Sequence, residues 1–321
     1  MARRHNFLTQ FWRRNSVSIA LNETFIVRRA KRAAGMQIFL INLVRRPDRL
    51  RVMTEQLRSM GLAFHRVPAV DAKIVSDAWL AQHFAARGTL GAVSKGDKCC
   101  ALSHKCAWMA FLSSGEQFGL ILEDDVLLDH TAHDLLRRTN WIPPSVDLLK
   151  LEHFGPNEQL VLIGKPIDVG PNRSVSRIYS RHSGAGAYII TRAAAQTLIS
   201  ATATWALSVD HMMFNPNASP VIEALKPYQL LPVIARQTSE LGGASDIRAW
   251  RAVHRRLGWA YLKRKVVRVY YELRLLPQQI ARLVSRRGRL VRVQNEAFVP
   301  VLSRRAFEDE QPSQRRPNAA R

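Results

Sequence analysis

The chain has 321 residues, 48 of them Lys or Arg and 25 Asp or Glu, for a formal net charge of +23, and 47% are apolar. That apolar share, with seven Trp, excludes a wholly disordered chain, and the length holds one large domain or two smaller ones with a real core. No window reaches the roughly 18 uninterrupted apolar residues of a membrane-spanning helix, and Cys99, Cys100 and Cys106 fit neither a disulfide framework nor a zinc site, which points to a reducing, cytoplasmic setting.

The basic charge sits at the two ends. Residues 1–35 carry eight Lys or Arg against one acid, residues 242–321 nineteen against six, and residues 36–241 twenty-one against eighteen. The first segment reads as a basic arm. Arg3, Arg4, Arg13 and Arg14 break up any apolar run there, so it lacks the centre of a secretory signal. Residues 36–43 (with Ile38, Phe39, Leu40 and Ile41) suit a buried parallel strand. Pro47 then opens a helical pattern with Leu50, Met53, Leu57 and Met60 on one face, and Gly61 stops it. Residues 62–70 read as a second strand. Residues 96–114 read as a long helix, with Asp97 near its start and Gly115 past its end. Residues 118–122 form another apolar strand that runs straight into Glu123, Asp124 and Asp125. A further strand over 148–151 ends at Glu152, and a strand over 187–190 leads into a helix through Ile199. This βαβα order predicts an α/β layered domain over residues 36–241 with a mainly parallel sheet.

Beyond it, Tyr261, Leu262, Val266, Val269, Tyr270 and Leu273 recur at three- and four-residue steps, with Lys263, Arg264, Lys265, Arg268 and Arg274 interleaved. Pro277 interrupts the pattern, and Ile280, Leu283 and Val284 resume it. Residues 242–306 therefore read as a basic amphipathic helical extension in two pieces. Such a segment either packs on its own domain or lies on an anionic membrane surface. Residues 307–321 are polar and read as a disordered tail.

The strongest chemical signal is Glu123-Asp124-Asp125 at the C-terminal end of an apolar strand, where open α/β sheets bind ligands. Three adjacent acids repel one another unless a positive group lies close. In extended chain Glu123 and Asp125 point to one side and Asp124 to the other. Mg²⁺ or Mn²⁺ prefers such oxygen ligands and binds phosphate oxygens too, so the expectation is a metal held by Glu123, Asp124 and Asp125 on a diphosphate. The alternative is a solvated acidic turn. The segment from Asn42 to Arg49 includes Arg45, Arg46 and Arg49 beside a helix start, which suits a phosphate or is an ordinary charge cluster. Asp71, after the second strand, either accepts hydrogen bonds from a ribose or base or caps a turn. Ser103 and His104 lie inside a helix. Gly184 and Gly186 precede a strand and permit close backbone approach to a ligand, or form a simple turn. Asp210 is either a helix cap or a carboxylate that deprotonates an acceptor hydroxyl, with Glu152 in reserve; Met212, Met213 and Phe214 read as core. No phosphate-binding Gly-rich loop, dinucleotide fingerprint or serine-nucleophile motif is present in the sequence.

Six ordered motifs carry a resemblance. They are Ile41-Asn42-Leu43 with Arg46 and Asp48-Arg49; Ala69-Val70-Asp71; the run from Gly96 to His104; Glu123-Asp124-Asp125-Val126; Gly184 with Gly186-Ala187-Tyr188; and Val209-Asp210. Over roughly residues 36–237 the chain resembles family 25 glycosyltransferases, the bacterial lipooligosaccharide galactosyltransferase-like enzymes, with collagen galactosyltransferases as distant relatives. The resemblance implies a GT-A type nucleotide-sugar-binding fold. It implies inverting transfer of a hexose, typically galactose from UDP-galactose, to a lipid-linked, lipopolysaccharide or other cell-envelope glycan. By it Glu123, Asp124 and Asp125 are the metal and diphosphate motif. Asn42, Arg46, Arg49, Asp71, Ser103, His104, Asp124, Gly184 and Gly186 fall at nucleotide-binding or site-lining positions, and Asp210 becomes the leading base. Asp97 stands where the family usually has Glu, Cys99 where Gly or Ala is common, and Ala72 where Gly is common. The basic ends lie outside the resemblance and fit an enzyme peripheral on the inner face of the cytoplasmic membrane. Two other readings are a nucleic-acid- or anionic-surface-binding protein with a degenerate transferase fold, and a metal-dependent phosphotransferase or hydrolase using the same acids.

Overall fold

In the computed structural model, the residues described are 36–86, 88, 90–153, 160–202, 205–237, 259–294 and 296–302. The expected basic arm (1–35), the polar tail (307–321) and the first part of the C-terminal extension (242–258) lie outside the described residues.

Strand β1 (Gln37–Asn42) is the first apolar run, and helix α1 (Pro47–Ser59) follows with Pro47 in its first turn. After β2 (Phe64–Pro68) and the short α2 (Asp77–Ala81) comes the long α3 (Lys95–Ser114). The Ser94 hydroxyl oxygen accepts the Asp97 backbone N–H at its start, and Gly115 closes it with φ 84°. Next come β3 (Phe118–Glu123), β4 (Val126–Leu128) and α4 (Ala132–Leu136), then β5 (Leu148–Lys150) and β6 (Glu152–His153). Strand β7 (Leu160–Gly164) and the hairpin strands β8 (Ile167–Gly170) and β9 (Arg173–Arg177) precede β10 (Ala187–Thr191) and α5 (Arg192–Ala201). The chain continues through α6 (Val209–Phe214), α7 (Ile222–Leu225), β11 (Pro227–Leu231) and β12 (Ala235–Gln237). It ends in α8 (Trp259–Arg274), α9 (Leu276–Val284) and β13 (Gly288–Arg292).

The principal sheet has eight strands in the order β2-β1-β3-β10-β5-β11-β9-β8. Strands β2, β1 and β3 are mutually parallel, while β10 runs antiparallel to both of its neighbours, β3 and β5. The α/β class holds, but the sheet is mixed where a mainly parallel one was expected. The β8–β9 hairpin, at the far edge of the same sheet, reverses the chain before β10.

Alternation along the central strands explains why they read as continuous apolar runs. Phe39, Ile41, Ile121, Tyr188 and Ile190 join one core with α3, α5 and α6. Ile38, Leu40, Leu120, Leu122, Ala187 and Ile189 join a second core with α1 on the other face. Both faces are buried, so no strand position is left for a polar residue until the strand ends.

Candidate active site

The parallel strands β2, β1 and β3 end together: Asn42 lies opposite Pro68, and Ile41 opposite Glu123. The first polar residues beyond the core therefore converge at one sheet edge. Because β10 enters from the opposite direction, its lead-in reaches the same edge, and the Glu123 N–H donates to the Gly186 carbonyl (2.8 Å). The first half of α3 crosses over this edge. The resulting cleft is lined by Arg45, Arg49, Asp71, Ser103, His104 and the acids Glu123, Asp124 and Asp125, among others. Seven sequence-predicted residues thus meet in one place: Arg49, Asp71, Ser103, His104, Glu123, Asp124 and Asp125.

The three adjacent acids do different things. Asp124 turns inward. Its Oδ2 accepts from Asn42 Nδ2 (2.7 Å) and the Leu43 N–H (3.3 Å), and its Oδ1 from Arg49 Nη1 (3.0 Å). Burial raises its carboxyl pKa in spite of the Arg49 charge. Asn42 is fully buried, and its Oδ1 accepts from Arg66 Nε and Nη2 (3.1 and 2.8 Å). It therefore props up the acidic turn and is not among the residues that line the cleft.

Glu123 is held from the α3 side. Its Oε1 meets His104 Nε2 (3.0 Å) and the Cys100 thiol (3.5 Å). On the far side of the ring, His104 Nδ1 lies 2.8 Å from the Tyr188 hydroxyl, whose oxygen accepts from Trp108 Nε1 (2.7 Å). A carboxylate can only accept, so Nε2 carries a proton in either state of the ring. Burial works against the Glu123 charge, yet the His104 bond and charge outweigh it and hold the carboxyl below its ordinary value. Asp125 is the opposite case. Burial and then the neighbouring Glu123 charge push its carboxyl up to about 8. Its Oδ2 lies 3.6 Å from Arg49 Nη1, and its buried Oδ1 has no hydrogen-bond partner.

An orphaned carboxylate oxygen amid accumulated negative charge is what a divalent cation satisfies. Charged cleft-lining side chains are Arg45 and Arg49 against Asp71, Glu123, Asp124 and Asp125. The site fits a cation through Glu123 and Asp125. Asp124 already holds protein donors on both oxygens, from Asn42, Leu43 and Arg49. Cys100, His104 and Glu123 also bring one ligand atom each within 4.8 Å of one another. There, however, the imidazole and the thiol both meet Glu123 Oε1, and burial together with the Glu123 charge keeps that thiol protonated.

The remaining predicted residues stand around the cleft rather than in its lining. Glu152 is fully buried: its Oε1 accepts from Lys150 Nζ (2.7 Å) and the Gly186 N–H (2.8 Å), and its Oε2 from Gln237 Nε2 (3.3 Å). It is not among the residues that line the cleft. A Cβ on Gly186 would lie 2.6 Å from Glu152 Oε2, so this glycine makes room for the buried ion pair and not for a ligand. Gly184 has φ 88° and gives its carbonyl to Lys150 Nζ (2.6 Å). Arg46 pairs with Asp48 (2.6 Å) at the start of α1. Asp210 lies in the first turn of α6. Its Oδ1 accepts from Ser208 Oγ (2.5 Å) and the His211 N–H (2.9 Å), and its Oδ2 from the Gly184 N–H (3.4 Å). It is half-buried and close enough to Glu123 to oppose that charge.

Within the lining, Asp71 accepts from Arg45 Nε (2.6 Å), and Ser103 Oγ accepts from the Val70 N–H (2.8 Å) while donating to the Cys99 carbonyl (2.8 Å). Sequence reasoning gave no site role to Cys100, Tyr188, Trp108 or Lys150, whereas Arg45 was read within the cationic cluster at the start of α1. Spacing offered one signal: Cys100 and His104 are four apart and so share a helix face.

Comparison with known proteins identifies the family. The model of glycosyltransferase family 25 (LPS biosynthesis protein) matches residues 36–213, more than half of the chain. The lipooligosaccharide biosynthesis protein lex-1 of Haemophilus influenzae is 26% identical over 166 residues, 48% of this chain and 53% of that protein. The H. influenzae lipooligosaccharide biosynthesis protein lic2B is 28% identical, over 46% of this chain and 56% of its own. The lacto-N-neotetraose biosynthesis glycosyltransferase LgtE of Neisseria meningitidis serogroup B is 29% identical, over 45% of this chain and 54% of its own. The chain spans about half the length of these relatives.

Proposed function

Because the chain belongs to glycosyltransferase family 25, we propose that it transfers a hexose, galactose in the first instance, from a UDP-sugar to a glycan of lipooligosaccharide or lipopolysaccharide with inversion at the anomeric carbon. The observation that carries this reading is the cleft itself: Glu123, Asp125, Arg45 and Arg49 face one opening at the end of three parallel strands. The relatives named for lipooligosaccharide and lacto-N-neotetraose biosynthesis support the acceptor class.

Arg45 and Arg49 stand where the nucleotide diphosphate enters, and Asp71 offers a carboxylate for a ribose or base hydrogen bond. Glu123 and Asp125 would hold a divalent cation, Mn²⁺ or Mg²⁺, whose chemistry is to neutralise charge on the departing diphosphate. His104, fixed by Tyr188 and Trp108, holds Glu123 in place. Asp210 takes the proton of the acceptor hydroxyl as that oxygen bonds to the anomeric carbon, and the bond to UDP breaks on the opposite face. Membrane attachment brings the enzyme to its lipid-linked acceptor.

Calorimetry with a panel of UDP-sugars, with and without Mn²⁺, tests the reading. Wild type binds a UDP-hexose more tightly with Mn²⁺, and Asp125→Asn loses that increment. Asp210→Asn keeps donor binding and loses on the order of 10²–10⁴-fold in turnover, the usual worth of a positioned base. A folded wild type that binds no UDP-sugar refutes the donor site, and an Asp210→Asn enzyme with full turnover refutes the base.

A further inference from the structure

We propose that α8 and α9 form a docking surface for an anionic lipid bilayer, lying along its interface and not crossing it. Val266, Val269, Tyr270 and Leu273 gather on one face of α8 at steps of three and four residues. Leu276, Ile280, Leu283 and Val284 do the same on α9. In an ordinary surface helix such a stripe faces the core. Here these eight side chains are 36–79% exposed, and no residue of α9 is buried. Together they expose on the order of 700 Å² of apolar surface along two consecutive helices.

The stripe points outward because the other side of α9 is fastened to the body. Gln279 Nε2 donates to the Tyr179 carbonyl (3.0 Å), and the Arg282 guanidinium lies 3.8 Å from the Tyr179 ring centre. Strand β13, directly after α9, pairs antiparallel with β7. At 3.6 residues per turn Arg282 lies roughly opposite Ile280 and Val284, while Gln279 borders the stripe beside Leu276 and Leu283. The Arg282 contact thus holds α9 from the side away from Ile280 and Val284, and Gln279 fastens the flank of the stripe.

Charge identifies the partner. Residues 259–294 hold ten Lys or Arg against Glu272 alone, and Glu272 is paired with Arg181 (2.8 Å). Arg274, Arg286, Arg287 and Arg289 are exposed. A second copy of this chain would bring the same positive charge to the same face and be repelled. A nucleic acid would match the charge but has no use for eight exposed apolar side chains. An anionic leaflet satisfies both, taking the apolar stripe at acyl depth and the arginines at its headgroups. Among the described residues no helix is long and apolar enough to cross a membrane, which agrees with a surface position.

The test is co-sedimentation of the full chain with vesicles of phosphatidylcholine alone and of phosphatidylcholine with phosphatidylglycerol. Wild type is expected to partition onto the phosphatidylglycerol vesicles at least about ten-fold more strongly. The combined variant Val269→Asp, Leu273→Asp, Ile280→Asp should lose most of that binding. The variant Arg274→Gln, Arg286→Gln, Arg287→Gln should lose the preference for phosphatidylglycerol; its substitutions are all exposed, and it keeps the test open if the first variant misfolds. None of these six residues lines the cleft, so UDP-sugar binding should be unchanged in both variants, and failure of sugar transfer would not touch this proposal. Equal binding to both vesicle types, or undiminished binding by the aspartate variant, overturns it. So does dimerisation of wild type that the aspartate variant abolishes without any vesicle binding, or salt-sensitive duplex DNA binding that the aspartate variant retains in place of vesicle binding.

Discussion

Asn42→Ala separates a side chain that holds the nucleotide from one that holds the acidic turn. Asn42 makes four hydrogen bonds, donating to Asp124 Oδ2 (2.7 Å) and the Arg46 carbonyl (3.0 Å) and accepting two from Arg66 (2.8 and 3.1 Å). Three of the four have a charged partner, and Asn42 itself is fully buried. Alanine leaves Asp124 and Arg66 short of partners that water reaches poorly. With a charged hydrogen bond worth about 1.5–3 kcal/mol, and part of that recovered by rearrangement, the expected loss is about 3–4 kcal/mol. For a body of this size that is a fall of roughly 6–16 °C in Tm. Thermal unfolding and UDP-sugar calorimetry on the same samples check it: both stability and donor affinity fall, the second because the acidic turn has lost its strut. Asn42→Asp sharpens the test by putting a second carboxylate at hydrogen-bond distance from Asp124. The pair then binds a proton more tightly folded than unfolded, so the destabilisation is largest at neutral pH and shrinks as pH falls. An Asn42→Ala protein with wild-type Tm and collapsed donor affinity would refute the strut and restore the direct nucleotide contact.

Glu152→Gln leaves Lys150 buried beside a neutral partner and should cost about 3–5 kcal/mol in urea unfolding; adding Lys150→Met should recover part of it, and strictly additive losses would show that the pair does not couple. Gly186→Ala drives a Cβ to within 2.6–3.0 Å of Glu152, Gln237 and Val126, so about 1–3 kcal/mol of stability should be lost, whereas unchanged unfolding would mean that the turn yields freely. Burial, followed by the charges of Lys150 and His153, holds the His182 imidazole well below its ordinary value of 6.5, with Asp210 opposing. The unfolded chain therefore takes up a proton that the folded chain refuses, and stability drops as pH falls below about 6.5. His182→Gln should flatten that drop between pH 7 and 5; an identical pH profile would show that another group is responsible.

The two-sided core explains which strands were legible. β1, β3 and β10 read as apolar runs because their apolar residues face one or other of the two cores in alternation. β8 and β9 sit at the sheet edge with mostly half-exposed or exposed residues, and their sequences, Ile167–Gly170 and Arg173–Arg177, carry too few apolar positions to register. Missing them hid the reversal that sends β10 antiparallel, since βα alternation by itself implies right-handed parallel crossovers. The C-terminal extension was legible as two helices broken near Pro277, but β13 was not, because Gly288–Arg292 is mostly arginine and glycine and gains its strand only from β7.

In the site, alternation along extended chain already set Asp124 apart from Glu123 and Asp125, and the structure gives that split a purpose: Asp124 joins the protein's own donors while Asp125 keeps an oxygen unpartnered. What no local pattern showed is how fully the cationic side chains are committed. Arg45 is paired with Asp71 and Arg49 with Asp124, so the charged lining holds two cations against four acids before any donor arrives. A UDP diphosphate adds further negative charge to that opening. Unless those ion pairs exchange partners, something positive must come with the nucleotide. That shortage also contributes, after burial, to the rise in the Asp125 pKa to about 8. It makes the Mn²⁺ dependence of UDP-sugar binding the measurement on which the reading of this cleft turns: a donor that binds equally well without a cation would mean that Arg45 and Arg49 abandon their carboxylates for the phosphates, and that the acidic turn serves the sugar or the acceptor instead.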